Sequence, residues 1–210
     1  MSADTKERLI QAAAPIFADK GYRETTVAEI CEAAGANIAA VNYHFGDKAN
    51  LYTEVWKYLN TIALKAYPFP DDHFEIGPEE WLRRFLRSRL ECIFCDTLAG
   101  LCPKLIHKEM NERTPKHNEL FLTYLKPNRD RARLAVRDYI GRDIGDVQLD
   151  LLTQNFMGVH ISLNAGYQKH KNDPEHMHKF AQYQNIGPLI EQVETFALGG
   201  LKEVKKSLNP

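Results

Sequence analysis

Residues Thr25 to Tyr52, TTVAEICEAAGANIAAVNYHFGDKANLY, hold two short helix patterns separated by a glycine, and this spacing constrains the fold more than any other feature of the chain. Thr25 or Thr26 is suited to cap a helix whose apolar positions Val27, Ile30, Cys31 and Ala34 recur at three- and four-residue spacing. Gly35 supplies the left-handed residue that ends it. Asn37 caps a second helix over Ile38 to His44, and Asp47 caps one that starts near Lys48. Two helices of about two turns, joined by a short turn that contains glycine, make a helix-turn-helix. The second is the right size for a DNA major groove, so the segment implies double-stranded DNA as partner.

In a helix that enters the groove, the N-terminal residues and one face meet base edges. Ile38, Ala39, Ala40 and Asn42 fall there. Asn42 alone among them has a bidentate edge, suited to adenine, and the alanines suit thymine methyls. Val41 and Phe45 are expected to pack inward, and the sequence leaves open whether Tyr43 or His44 joins them. Charge adds little. The net charge is −1, and residues 1–48 carry five Lys/Arg against seven Asp/Glu, a balance of −2. That is not the basic footprint of a bulk polyanion binder, so modest non-specific affinity and a small salt slope per subunit are expected.

Four elements occur in order: the helix ERLIQAAAPIFADKGY with its closing Gly21, the paired threonines of TTVAEICEAAG, the AAG turn, and AAVNYHFGDKANLY with its aromatic YHF and following lysine. On these residues, 5–52, the chain resembles the TetR family of bacterial transcriptional repressors. Further on, KLIHKEMNERTP followed by FLTYLKPNRD looks like the ligand-binding domain of the CecR-type branch. The resemblance implies a three-helix DNA-binding domain at 1–47 and a helical effector-binding and dimerisation domain at 48–210. By the same resemblance Thr26, Tyr43, His44 and Lys48 match positions that contact the DNA backbone. Asn37, Ile38 and Ala39 stand where members often carry Ser, Lys or Arg, and Gly, which removes a cation from the DNA-contacting stretch. The family forms homodimers through a four-helix bundle of its last two helices, and a single helix-turn-helix binds weakly, so a twofold dimer on a palindromic operator is expected.

The remainder fits an all-α chain. At 210 residues and 44% apolar it can bury one sizeable core or two modest ones. No apolar run approaches the ~20 residues that span a bilayer. MSADTKERL reads as the start of an amphipathic helix and not as a signal peptide, so no membrane partner and a cytoplasmic location are expected. Helices are predicted over about 48–66, from Pro78 through PEEWLRRFLRSRLECIFCD, over 103–112, and over 116–141 with a kink at Pro127. Two long helices, about 146–170 and 186–207, close the chain. The last carries a wide stripe of Leu189, Ile190, Val193, Phe196, Ala197, Leu201 and Val204, and a stripe wider than one face buries against two neighbours.

A small-molecule effector requires a cavity among the middle helices. Candidate lining residues are Phe85, Arg89, Phe94, Leu105, His107, Met110, Phe121, Tyr124, Phe156 and His160. For the apolar ones core packing is the competing role, whereas a buried Arg89, His107 or His160 needs a partner. Cys92, Cys95 and Cys102 form C-x2-C-x6-C, so a thiol redox enzyme or a metal or thiol sensor built on Cys92 and Cys95 is the alternative. A structural metal site wants four ligands, and buried cysteine is common as a small apolar residue. No phosphate loop, nucleophile elbow or cofactor fingerprint is present. The sequence therefore points to a binding protein without cofactor or metal and not to an enzyme.

Overall fold

The computed structural model describes residues 2–70, 73–170, 173, 175 and 185–208, and every regular element among them is helical. In chain order these are α1 (Ser2–Lys20), α2 (Val27–Ala34), α3 (Ile38–Phe45), α4 (Lys48–Ala66), α5 (His73–Ile76) and α6 (Pro78–Phe94). After a 3₁₀ turn at Leu98–Gly100 follow α7 (Leu101–Glu112) and α8 (His117–Leu120). A π-turn at Phe121–Leu125 leads into α9 (Lys126–Ile140), then come α10 (Asp146–His170) and α11 (Ile186–Leu208). Among the described residues no helix is long and apolar enough to cross a membrane.

The chain forms two compact units: Met1–Ala66 with Cys95–Tyr124, and Tyr67–Phe94 with Leu125–Pro210. The sequence suggests a division at residue 47, where the helix-turn-helix ends. By packing, α4 and α7 group with the N-terminal helices, because α1 lays its apolar face on α2, α4 and α7. In this first unit Leu9, Ala13 and Phe17 of α1 are buried, as are Leu51, Tyr52, Val55 and Trp56 of α4. The Phe17 and Tyr52 rings meet edge to face at 4.9 Å, and Tyr22 closes on Tyr52 at 5.2 Å.

A carboxylate lies inside this unit. Glu109 of α7 is 1% exposed, and a polar group so far from water is costly to bury unless its oxygens are hydrogen-bonded. Tyr52 Oη donates to it at 3.0 Å, Thr114 donates from its amide and its hydroxyl at 3.0 and 3.1 Å, and His117 Nδ1 lies 3.0 Å away. Glu112, a turn further on, accepts the Arg23 amide at 3.0 Å.

The second unit packs α6, α9, α10 and α11 together. Trp81, Phe85, Val136, Tyr139, Leu149, Phe156, Leu198 and Leu201 form its larger core cluster; Leu90, Ile93, Phe94, Ile190 and Val193 form the smaller. The helix expected over 116–141 is interrupted. Pro127 sits in the first turn of α9 after a π-turn, since it donates no amide hydrogen and its ring excludes the carbonyl one turn back.

Candidate nucleic-acid interface

The turn between α2 and α3 is built from caps. Thr26 Oγ1 accepts the Glu29 amide at 3.2 Å and starts α2. Gly35, left-handed at φ 59°, stops it. Asn37 Oδ1 accepts the Ala40 amide at 2.9 Å and starts α3. Thr25, the other capping candidate, is buried and donates to the Gly21 carbonyl at 2.6 Å. Asp47 caps α4 by accepting the Asn50 amide at 2.7 Å.

Helical periodicity then separates the faces of α3. Val41 and Phe45, four residues apart, are buried. Ile38, Ala39 and Asn42 are exposed, and Ala40 is half-buried. Tyr43 is 80% exposed. The core aromatic of the YHF cluster is therefore Phe45, while Tyr43 stands outside and a half-buried His44 meets it edge to face at 4.9 Å. The face holds hydrogen-bonding groups and apolar contacts of the kind that read base edges and phosphates.

Lys48 is placed differently from the others. Its ammonium donates to the carbonyls of Tyr22 at 2.8 Å and Thr25 at 2.9 Å and lies 4.3 Å from the Tyr22 ring centre. Burial lowers its pKa below the ordinary lysine value. It ties the start of α4 to the turn before α2. Two residues that periodicity did not single out border the outward face of α3: Thr5 and Arg8 of α1 join Asn37, Ala40, Tyr43 and His44 around an open concavity of about 620 Å³. Arg8 thus places a guanidinium beside a helix that has no lysine or arginine of its own.

Several acids of this region are engaged locally. Glu29 meets Lys20 at 3.0 Å, a contact that holds its carboxyl below the usual range, and Asp19 meets Lys104 at 2.9 Å. The Asp47 and Glu112 carboxylates accept backbone amides.

The effector candidates divide between the units. In the first, Leu105 is core, His107 is half-buried beside Asn111, Met110 is exposed, Phe121 stacks on His117, and Tyr124 faces Trp56 at 5.8 Å. In the second, Phe85, Phe94, Phe156 and His160 are buried and Arg89 is half-buried. Arg89 stacks on Phe69 at 4.1 Å and donates to the Tyr67 carbonyl at 2.8 Å. His160 Nδ1 has no hydrogen-bond partner among the described residues, and burial together with the Arg89 charge holds its pKa down to about 3. Cys92 and Cys102 are buried, and Cys95 Sγ lies 3.3 Å from the Thr97 hydroxyl. Among the described residues no three His, Cys, Asp or Glu side chains gather as a metal site. His170 closes α10, whereas His176 and His178 lie outside the described residues.

Residues 9–55 match the family model described as bacterial regulatory proteins, tetR family. Over 174 residues the chain is 26% identical to the HTH-type transcriptional dual regulator CecR of Shigella flexneri, covering 77% of this chain and 76% of that one. Its fold is similar to that of HlyIIR, a hemolysin II transcriptional regulator, with a TM-score of 0.64 at 17% identity over 93% of this chain and 97% of that one. A TetR/AcrR-type transcriptional regulator from Aquifex aeolicus VF5 superposes with a TM-score of 0.57 at 19% identity, over 95% and 99% of the two chains. The capped helix-turn-helix and the family model that covers it agree that residues 9–55 are a tetR-family helix-turn-helix domain, and the similarity to a transcriptional regulator continues through the body of the chain.

Proposed function

We propose that the protein is a ligand-responsive transcriptional repressor that binds a palindromic operator as a homodimer through α2 and α3 and is released by a small-molecule effector. The observation that carries this reading is the outward face of α3, where Ile38, Ala39, Asn42 and Tyr43 stand exposed over a buried Val41 and Phe45. Asn42 reads adenine, Ala39 and Ala40 meet thymine methyls, and Thr26, Asn37, Tyr43 and His44 hold the backbone. Lys48 gives two of its three protons to carbonyls and keeps one for a phosphate. The protein acts by binding, in the cytoplasm, and not by catalysis.

A second copy accounts for the apolar surface left on the last two helices. Val147, Leu151 and Ile161 of α10 and Phe196 of α11 are exposed, and beyond the adjacent residues and the backbone of the same helix nothing described stands within 4 Å of a Cβ placed at Gly158, Gly199 or Gly200. A stable dimer buries on the order of 1,600 Å². For the effector, the second unit offers the His160 imidazole with its unsatisfied nitrogen and the nearby Arg89 charge, among Phe85 and Phe156. Those groups suit an aromatic, weakly acidic molecule. Leu105, His107, Met110, Phe121 and Tyr124 are the counterpart candidates on the first unit, and Phe94 on the second.

Selection of bound sequences from random duplexes, followed by footprinting, tests the reading. Two inverted half-sites about one helical turn apart are expected. No enrichment, or protection of one half-site by a monomer, would remove it.

A further inference from the structure

The concavity beside α3 joins parts of the chain that are distant in sequence, Thr5 and Arg8 from α1 with Asn37, Tyr43 and His44. Guanidinium, hydroxyl, amide and imidazole groups are the donors that proteins aim at phosphate oxygens. α3 itself has no lysine or arginine. Lys6 is turned to Glu54 at 3.4 Å and to the Phe45 ring. Arg8 is held loosely: its Nε lies 4.0 Å from Asp4, its Nη2 lies 3.4 Å from Thr5 Oγ1, and its side chain is 47% exposed. Contacts of that length are weak, so little is lost when the guanidinium turns to another anion.

The geometry points to this concavity as a seat for one backbone phosphate of duplex DNA, with Arg8 of α1 as its cation. The inference rests on α3 as the base-reading helix and adds a second element to the interface. A planar guanidinium takes two phosphate oxygens at once, which fixes orientation as well as supplying charge. The contact sets the register of α3 on the duplex and carries no sequence information. The cation absent from the start of α3 is thereby supplied from α1, and Asp4 competes with DNA for it.

The test uses the full chain, its selected operator and an unrelated duplex of equal length, across a salt series. Arg8→Ala is expected to weaken both duplexes by the same factor and to flatten log K against log salt by about 0.9 per protomer. Raising salt from 50 to 200 mM then costs the variant about 3-fold less per protomer than the wild type. Arg8→Lys should keep the slope with lower affinity, and Asp4→Asn should bind both duplexes more tightly. Thermal melts of all three confirm that the exposed substitutions leave the fold intact, and Asp4→Asn reads the same contact in the opposite direction should Arg8→Ala melt early. Arg8→Ala and Asp4→Asn proteins indistinguishable from wild type would overturn the assignment. A loss confined to the operator with an unchanged slope would make Arg8 a base reader and empty the concavity of phosphate. If the wild type holds no duplex, the reading of α3 falls and this one with it; if the wild type binds and only the Arg8 variants are silent, α3 stands and Arg8 does not.

Discussion

Replacing Gly21 with alanine probes how the turn before α2 is held. Gly21 has φ 85°, is buried, and ends α1 by donating its amide to the Phe17 carbonyl at 2.9 Å. An alanine there carries two costs. The left-handed backbone disfavours a Cβ by roughly 1–2 kcal/mol. The Cβ itself would stand 1.7 Å from Glu112 Oε1 and 2.7 Å from its Cδ, so the carboxylate must leave and the Arg23 amide loses its acceptor. A half-exposed hydrogen bond of that kind contributes about 0.5–1.5 kcal/mol. The expected destabilisation is therefore roughly 1.5–3.5 kcal/mol, a fall in melting temperature of roughly 3–14 °C for a chain of this length. Glu112→Ala alone should cost about 1 kcal/mol, since the Arg23 guanidinium still reaches the Glu112 backbone carbonyl. In the double variant the clash is gone and the amide bond is lost only once, so its cost should fall short of the sum by about 1 kcal/mol. Thermal melts of the four proteins at one pH measure this cycle. Additivity within about 0.3–0.5 kcal/mol would show that the two residues do not meet, and the reasoning would fail.

Asn42→Ala should weaken operator binding by roughly 1–3 kcal/mol and relax base preference at one position per half-site; a uniform loss on all duplexes, measured by competition, would assign Asn42 to the backbone instead. Phe196→Asp should yield folded monomer without operator affinity, because Phe196 is 73% exposed, whereas Leu201→Asp should unfold the second unit, because Leu201 is 4% exposed in its core; light scattering and circular dichroism separate the two, and a Phe196→Asp dimer would place the interface elsewhere. His160 is held near 3 by burial and then by Arg89, against an ordinary 6.5, so between those values the unfolded chain binds a proton that the folded one refuses. Its contribution is complete above about pH 6.5 and declines on acidification by up to about 1.4 kcal/mol per pH unit. Denaturant midpoints at pH 7, 6 and 5 should show that decline, and His160→Gln should reduce it; equal slopes in both proteins would locate the proton elsewhere.

Much of the helix-turn-helix was legible in the amino-acid order because its determinants are local. A cap acts on an amide three residues on, and a left-handed stop acts on the turn just before it, so Thr26, Gly35, Asn37 and Asp47 mark their helices without reference to the rest of the chain. The same locality separates Val41 and Phe45 from Asn42 and Tyr43, since a period of 3.6 residues brings positions four apart onto one side of the helix and turns the residues between them away from it. The long helices α10 and α11 follow from apolar recurrence over many turns. Periodicity measures how wide an apolar stripe is and is silent on what covers each part of it. Hence only the tertiary structure distinguished a buried Leu201 from an exposed Phe196 on one helix. It alone brought Glu112 to Gly21 and to Arg23, 89 residues away in sequence, and turned the Lys48 ammonium onto the Tyr22 and Thr25 carbonyls. It also assembled Tyr52, Thr114 and His117 around Glu109, and set Arg8 beside α3. A charged side chain selects its partner from whatever the fold brings within about 3 Å, and that proximity is a property of the packed chain and not of sequence spacing.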